Sequence, residues 1–409
     1  MLSKKSKSFV TAVFFSLASL SALAAANHGP LKVFILSGQS NMQGHAHLST
    51  LEVIGLDPET MPMLEKMIDA RGEPRVIERV WISSIGSSAS EAEEKFGPLT
   101  TGYGAERRGP KVGPEFTFGI YMAEQVQGPI LLIKTAWGGK SLHTDFRPPS
   151  AGPYTFDQTT LEKMKADGKD VEALKKERAE ASGHYYRLMM EHIRKVLADI
   201  ERVYPEYDAR KGYELAGFVW FQGWNDMTDG GVYPNRNQPG GYDAYTELLG
   251  AFIKDVRKDL STPELPFVIG VMGVNGPTAL YKQDRYKAVH QNFRDAMAAP
   301  AALPEFKDNV AAVLTEKYWD MELSELRDRE KQIMPQIKAV REKVKQKELS
   351  QSEGQQAEAI LYNELFTERE LTILKKGASN FEFHYLGSAK ILGQIGKAFA
   401  EAMGELLKK

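Results

Sequence analysis

Three short loops of this sequence carry the residue types of a hydrolytic site. The segment GQSNM at 38–42 follows an apolar run, and a serine at such a turn presents its hydroxyl while the next backbone N–H groups point inward. The segment WGGKS at 137–141 follows a second run, and its paired glycines let a backbone N–H face a developing oxyanion. The segment QGWND at 222–226 follows a third run and offers a side-chain amide as a further donor.

A serine becomes a nucleophile at neutral pH only beside a base, and histidine suits that task best. His384 follows the three loops and precedes the last apolar helix, which makes it the best placed of eight histidines. These residue types predict nucleophilic catalysis by a serine, and no cofactor is expected. His45 with His47, and His143 with Asp145, are too few for a predicted zinc site, so we interpret them as substrate contacts or loop hydrogen bonds.

Five continuous apolar runs predict the buried strands of a parallel sheet. Segments of helical period separate them, and this alternation of strand and helix predicts a doubly wound α/β fold. Ligands bind such sheets at the carboxyl ends of the strands, where the three loops lie. The predicted strands cover 31–36, 129–135, 215–221, 267–274 and 310–314, and helices are predicted at 115–125, 184–203, 242–260, 285–297 and 388–407.

Two charged segments, 161–181 and 321–376, depart from this alternation. Apolar residues of the second recur mostly every three to four positions, which predicts an inserted helical hairpin with Pro335 kinking its first arm. We interpret it as solvated, because its apolar stripe is short for a coiled coil.

Residues 1–26 combine lysines, an apolar run and small residues, as a signal peptide does. One domain, 27–409, is therefore expected in the periplasm or outside the cell, without a stable membrane anchor.

The composition limits the partners of this chain. It has 409 residues, no cysteine, 26% charged residues and a formal net charge of -2. The near balance of charge gives no electrostatic reason to expect nucleic acid, and a chain without cysteine has no disulfides or thiolate chemistry. A neutral substrate such as sugar fits, and Trp137, Trp224 and Tyr385 flank the loops as candidates for stacking on a sugar ring or for core packing. The oligomeric state stays open.

Four blocks resemble, in order, those of SGNH hydrolases. Within that superfamily they are similar to the sialate O-acetylesterase and acetylxylan esterase branch, carbohydrate esterase family 6. The blocks are GQSNM at 38–42, AWGGKS at 136–141, FQGWND at 221–226 and FHYLGSAK at 383–390, with GPEFTFG at 113–119 as a further element. The resemblance spans 31–403. It implies a flavodoxin-like three-layer α/β/α fold, a metal-independent acyl-enzyme mechanism and O-acetylated carbohydrate as substrate.

Residue by residue, the resemblance implies Ser40 as the nucleophile and one oxyanion donor, and His384 as the general base and acid. It implies the N–H of Gly139, or of its neighbour Gly138, as the second donor and Asn225 as the third. The remaining polar residues of the blocks are implied as supports or substrate contacts, namely Gln39, Asn41 and Gln222.

The block around His384 departs from the family pattern in its acid. SGNH hydrolases carry aspartate three residues before the histidine, where this chain has Phe381. Glu382 would lie on the same side as His384 in an extended segment, and we favour it as the orienting acid. The alternatives are a backbone carbonyl, or Glu316 or Asp320 after the fifth strand.

Two other functions stay open from the sequence. An SGNH lipase or thioesterase would carry an exposed apolar groove beside Ser40, whereas the loops here are rich in polar residues and glycine. A catalytically inactive carbohydrate-binding protein is the second alternative, which the missing aspartate allows.

Overall fold

The computed structural model describes residues 29–156 and 158–409. The expected signal peptide, 1–26, lies outside these residues. Within them the chain forms a mostly parallel seven-stranded sheet between two layers of helices, which confirms the predicted three-layer α/β/α fold. None of the helices in this part of the chain is long and apolar enough to cross a bilayer.

The strands include all five predicted apolar runs. Four further strands occur in the described residues, and two of them extend the main sheet at one edge. The main sheet has the order β4-β3-β6-β1-β7-β8-β9, parallel except for the β3–β4 pair, and β2 pairs with β5 separately. The bounds are β1 Leu31–Gly38, β2 Ala46–His47, β3 Ile77–Ile85, β4 Glu94–Leu99, β5 Lys111–Val112, β6 Ile130–Ala136, β7 Tyr213–Phe221, β8 Phe267–Val271 and β9 Val310–Leu314.

Side chains of β7 show how the helices form two layers. Phe218 and Trp220 contact Phe252 on one face of the sheet, and Phe221 contacts Phe399 on the other. Phe252 belongs to α9 and Phe399 to α14, so these helices cover opposite faces. The helices are α1 Ser40–Gln43, α2 Leu51–Ile54, α3 Met61–Met67, α4 Pro114–Gln125, α5 Gln158–Ala166, α6 Val171–Ala181, α7 His184–Ala198, α8 Trp224–Thr228, α9 Asp243–Asp259, α10 Asp284–Ala298, α11 Met321–Lys345, α12 Gln351–Leu365, α13 Glu368–Lys376 and α14 Ala389–Leu406.

The charged segment 321–376 contains α11, α12 and α13, with Pro335 inside α11. Its helices α12 and α13 each begin with a capping box, which satisfies backbone N–H groups at both starts. Ion pairs tie the segment to the rest of the domain: Lys376 lies 2.5 Å from Glu52, and Arg327 lies 3.2 Å from Glu382. The second of these pairs connects α11 to the residues next to His384.

The register of the central strands brings the three loops together. Gly38, the last residue of β1, pairs with Ala136 at the end of β6 and with Phe221 at the end of β7. The loops that follow these strands therefore leave the sheet at one level and side by side. Only glycine fits at position 38, because a Cβ atom there would lie 2.2 Å from the carbonyl oxygen of Phe221.

Candidate active site

The serine loop is a sharp turn from strand to helix. Gln39 is extended, Ser40 opens the four-residue helix α1, and Gly44 ends it with a φ of +87°. A Cβ atom on Gly44 would lie 2.2 Å from the Cα atom of Gly113, so this close return of the chain also requires glycine. The turn places Ser40 at the carboxyl edge of the sheet, with only 5% of its surface exposed.

Gln39 connects the serine loop to the third loop. Its Nε2 group donates to Asn225 Oδ1 at 3.0 Å and lies 3.5 Å from Ser40 Oγ, while its Oε1 atom accepts from the Gly223 N–H at 2.9 Å. Since Asn225 Oδ1 accepts this bond, the Nδ2 group of Asn225 remains the donor on the other side of the amide. The arrangement suits a group that donates to an oxyanion.

Asp226 connects the third loop to the glycine loop. Its buried carboxylate accepts from Gln222 Nε2 at 2.6 Å and from the N–H groups of Leu142 and His143 at 2.8 and 3.0 Å. Tyr233 donates a further hydrogen bond at 3.1 Å. Burial raises the pKa of Asp226. These bonds join the two loops, and Gln222 takes part in them.

The two glycines of the second loop differ in position. A Cβ atom on Gly138 would lie 3.8 Å from Ser40 Cβ and 3.3 Å from Gln43 Oε1, so the backbone of Gly138 runs beside the serine loop. Gly139 has a φ of +74°, and a Cβ atom there would have no neighbour within 4 Å. Gly138 is thus packed against the serine loop, and Gly139 faces open space.

His384 lies in a strained turn, Glu382–Gly387, that precedes α14. The three residues after it, 385–387, have φ values of +52°, +61° and +53°, a left-handed conformation that costs energy for residues other than glycine. The buried Tyr385 hydroxyl accepts from the Gly273 N–H at 2.8 Å and lies 2.7 Å from Thr315 Oγ1. These bonds anchor the turn to loops that follow β8 and β9.

Asn380 orients the imidazole of His384. Its Oδ1 atom lies 3.0 Å from His384 Nδ1 and also accepts from the Phe381 N–H at 2.8 Å. Because the Phe381 N–H needs an acceptor, the amide oxygen, rather than the nitrogen, faces the ring. Nδ1 therefore carries the proton, and Nε2 is left with a free lone pair, as a general base requires.

The three carboxylates considered from the sequence are bound elsewhere. Glu382 pairs with Arg327 at 3.2 Å, Glu316 pairs with Arg294, and Asp320 caps α11 by accepting from the Leu323 N–H at 3.0 Å. The geometry thus gives no support to the predicted role of Glu382. The extended backbone that the prediction assumed is replaced by a turn, which directs Glu382 towards α11.

His45 stacks on His384, a contact that the sequence did not reveal. The ring centroids lie 3.8 Å apart with 6° between the planes, and His45 Nε2 lies 3.2 Å from Gln43 Oε1. Burial lowers the pKa of His384 to about 4, with the Lys111 charge adding to the effect. Burial and the nearby His384 lower the pKa of His45 to about 3. Both rings are neutral at pH 7, and their stacking fixes the plane of the candidate base.

A buried ion pair lies beneath the serine loop. Lys134 Nζ donates to Glu115 Oε2 at 2.8 Å, and also to the carbonyl oxygens of Gln43 at 2.8 Å and Tyr103 at 2.9 Å. Neither charged side chain has any exposed surface. Lys134 therefore holds the end of α1 in place. A lysine inside the apolar run ILLIKTA was the sequence signal for this support, and it was overlooked.

The segments of Ser40 and His384, far apart in the chain, pack against each other. Across the described residues no hydrogen bond joins Ser40 Oγ to the imidazole, and the neighbour of Ser40 Oγ is the Gln39 amide. Catalytic hydrogen bonds often become short only when the substrate is bound.

The three aromatic residues considered for stacking on a sugar ring differ in exposure. Trp137 and Tyr385 are buried in the core, whereas Trp224 is partly exposed.

A three-layer α/β/α fold with these loops at the carboxyl edge of its sheet has the architecture of an SGNH-type esterase. The sequence matches the model of the family described as "Carbohydrate esterase, sialic acid-specific acetylesterase" over residues 30–315. The chain therefore belongs to this family, which confirms the resemblance seen in its sequence blocks. The family indicates carbohydrate acetylesterase activity. The matched region contains the three loops and ends before His384.

Two solved structures resemble this chain at low identity. A protein from Arabidopsis thaliana is 18% identical over 70% of this chain and 86% of its own length, with a TM-score of 0.38. A carbohydrate acetylesterase from Xanthomonas citri is 13% identical over 69% of this chain and 49% of its own length, with a TM-score of 0.34. The comparison with curated proteins finds no match.

Proposed function

We propose that this protein is a serine esterase that removes acetyl groups from carbohydrate through an acyl-enzyme intermediate. The proposal rests above all on the aligned ends of β1, β6 and β7, which bring the loops of Ser40, Gly138 and Asn225 together. The packing of the His384 turn against α1 adds a candidate base, whose Nδ1 atom lies 3.0 Å from Asn380 Oδ1. Family membership supports the substrate class.

In the proposed reaction, His384 Nε2 takes the proton of Ser40 as Oγ attacks the acetyl carbonyl carbon. The backbone N–H of Ser40, that of Gly139 or Gly138, and Asn225 Nδ2 donate to the tetrahedral oxyanion. The imidazolium then protonates the departing sugar oxygen, and the acetyl group stays on Ser40. His384 next deprotonates a water molecule, which attacks the acetyl-serine. The imidazolium returns this proton to Ser40 Oγ as the serine ester bond breaks, and acetic acid leaves and ionises to acetate.

Hydrolysis of p-nitrophenyl acetate by the purified chain tests this proposal. We expect Ser40→Ala to remove the enzymatic release of p-nitrophenol, because no other hydroxyl takes its place in the turn. Ser49→Ala is the matched control, since Ser49 is exposed and its hydroxyl bonds to His47 outside the proposed machinery. Unchanged hydrolysis in Ser40→Ala would overturn the mechanism. A wild-type chain without activity that still binds sugar would favour the inactive carbohydrate-binding alternative.

We further propose that the chain is an exported single esterase domain, 27–409, with 321–376 as its helical insertion. The pattern of residues 1–26 supports export. Sequencing the N-terminus of the protein recovered from a secreting host checks this, and a mature start at Ala25 or Asn27 is expected. A protein that remains inside the cell and still begins at Met1 would contradict this proposal.

A further inference from the structure

Three aromatic rings form a row beside the candidate site. The ring centroids of Trp224 and Phe383 lie 5.7 Å apart with 37° between the planes, and Phe381 stacks on Phe383 at a centroid distance of 5.3 Å with 16° between the planes. Phe381 is 64% exposed, the highest value among the exposed large apolar side chains of the described residues. A phenylalanine held in this way, with its ring stacked and its surface in water, is a ready contact for a ligand.

The row is continuous with the catalytic groups at its inner end. Trp224 precedes the oxyanion candidate Asn225, and the Phe383 ring meets the His384 ring edge to face at a centroid distance of 4.5 Å. The rings therefore lie next to the candidate base and the candidate oxyanion donor. Phe381 lies at the outer end, where its ring stacks on Phe383.

A charged pair borders the row. Glu382 stands between the two phenylalanines in sequence, and its side chain, 50% exposed, pairs with Arg327, which is 39% exposed. Carboxylate and guanidinium groups hydrogen-bond readily to hydroxyl groups. An acyl chain laid across this pair would remove its charges from water without replacing those bonds, which is unfavourable.

We propose that the exposed ring of Phe381, backed by Phe383 and then by Trp224, is an aromatic platform that binds the sugar unit next to the acetylated one. The C–H face of a pyranose ring packs on an aromatic ring, while its equatorial hydroxyls reach the Glu382–Arg327 pair. The substrate is then an acetylated oligosaccharide or polysaccharide and not a free monosaccharide. This inference rests on the proposed esterase function and adds its substrate class.

The test compares two substrates with the Phe381→Ala variant. Chemically acetylated xylo-oligosaccharides and cello-oligosaccharides reach the platform, whereas p-nitrophenyl acetate does not. We expect KM for the better oligosaccharide to rise roughly fivefold to tenfold with kcat unchanged, because stacking binds ground and transition states alike. Kinetics on p-nitrophenyl acetate should stay as in the wild type. Phe96→Ala, which removes an exposed aromatic ring from β4 at the far edge of the sheet, should alter neither substrate.

Two conservative variants identify what the platform recognises. Phe381→Trp should keep the wild-type KM, whereas Phe381→Leu, apolar but not aromatic, should behave like Phe381→Ala. If Phe381→Leu is normal, or if Phe381→Ala instead raises KM for p-nitrophenyl octanoate, the row binds an acyl chain and the inference is wrong. A wild type that cleaves p-nitrophenyl acetate but no oligosaccharide also overturns it. Failure of the esterase proposal is recognised separately, by activity that survives in Ser40→Ala.

Discussion

Replacing Asn380 by alanine tests how this protein orients its candidate base. The substitution removes the oxygen that lies 3.0 Å from His384 Nδ1 and 2.8 Å from the Phe381 backbone nitrogen. The imidazole then has no acceptor that holds the proton on Nδ1, so the tautomer with a protonated Nε2 becomes populated. That tautomer cannot take the proton of Ser40.

The size of the effect follows from the charge that develops on the ring. In the transition state the imidazole becomes imidazolium, and a hydrogen bond to a charged group contributes about 1.5–3 kcal/mol. Its loss corresponds to a roughly 10- to 150-fold decrease in kcat/KM. Asn380→Asp keeps both acceptor positions and adds a negative charge, so we expect it to retain or exceed wild-type activity near pH 7.5.

The pH profile separates an orienting role from a merely structural one. Burial lowers the pKa of His384 to about 4, so the wild-type kcat/KM should rise with pH around pH 4 and stay level above it. A carboxylate at position 380 favours the protonated imidazole and raises its pKa. The acidic limb of the kcat/KM profile of Asn380→Asp should therefore move to higher pH. The acidic limb of Asn380→Ala should not make this move.

Hydrolysis of p-nitrophenyl acetate between pH 3.5 and 8 measures both quantities, and circular dichroism verifies that each variant is folded. Glu382→Gln is the matched control, since Glu382 pairs with Arg327 instead of the imidazole. Its rate and acidic limb should equal those of the wild type. A tenfold loss in Glu382→Gln beside normal activity in Asn380→Ala would refute the assignment and restore the glutamate prediction.

Two further predictions concern groups that support the site. Asn225→Ala should lower kcat on p-nitrophenyl acetate by about 10²- to 10³-fold, as loss of an oxyanion donor does, and wild-type turnover in this variant would exclude that role. Lys134→Met leaves the buried Glu115 carboxylate unpaired, so urea denaturation should show a loss of about 3–5 kcal/mol in the free energy of unfolding. The double variant with Glu115→Leu should recover part of this loss, and no recovery would mean that the ion pair is not the cause.

Much of the fold could be predicted because its central strands are buried on both faces. All seven residues of β6 are buried, for example, and so its run is continuously apolar apart from Lys134 and Thr135. The strand β4 was missed for the opposite reason. It lies at the edge of the sheet and carries Glu94, Lys95 and Pro98, residues that suit solvent and an unpaired edge but give no apolar run. The neighbouring strand β3 lies one place further in, but Glu78, Arg79, Ser83 and Ser84 interrupt its apolar residues.

The sequence by itself determined the polar loops and their place at the ends of predicted strands. Ser40, Gln39 and Asn225 were recognised there because residue type and local turn chemistry are written in short segments of the chain. That they come together depends on the pairing of β1 with both β6 and β7, which is a contact between distant segments.

Only the tertiary structure decided what surrounds His384. The direction of a side chain follows from its backbone dihedrals, and the left-handed turn at 385–387 is held by the distant Gly273 and Thr315. Asn380, which lies two residues before the turn Glu382–Gly387 and four before the histidine, reaches His384 Nδ1. Glu382 pairs instead with Arg327. The stacking of His45 on the same ring joins two ends of the chain, a contact that no local pattern of residues encodes.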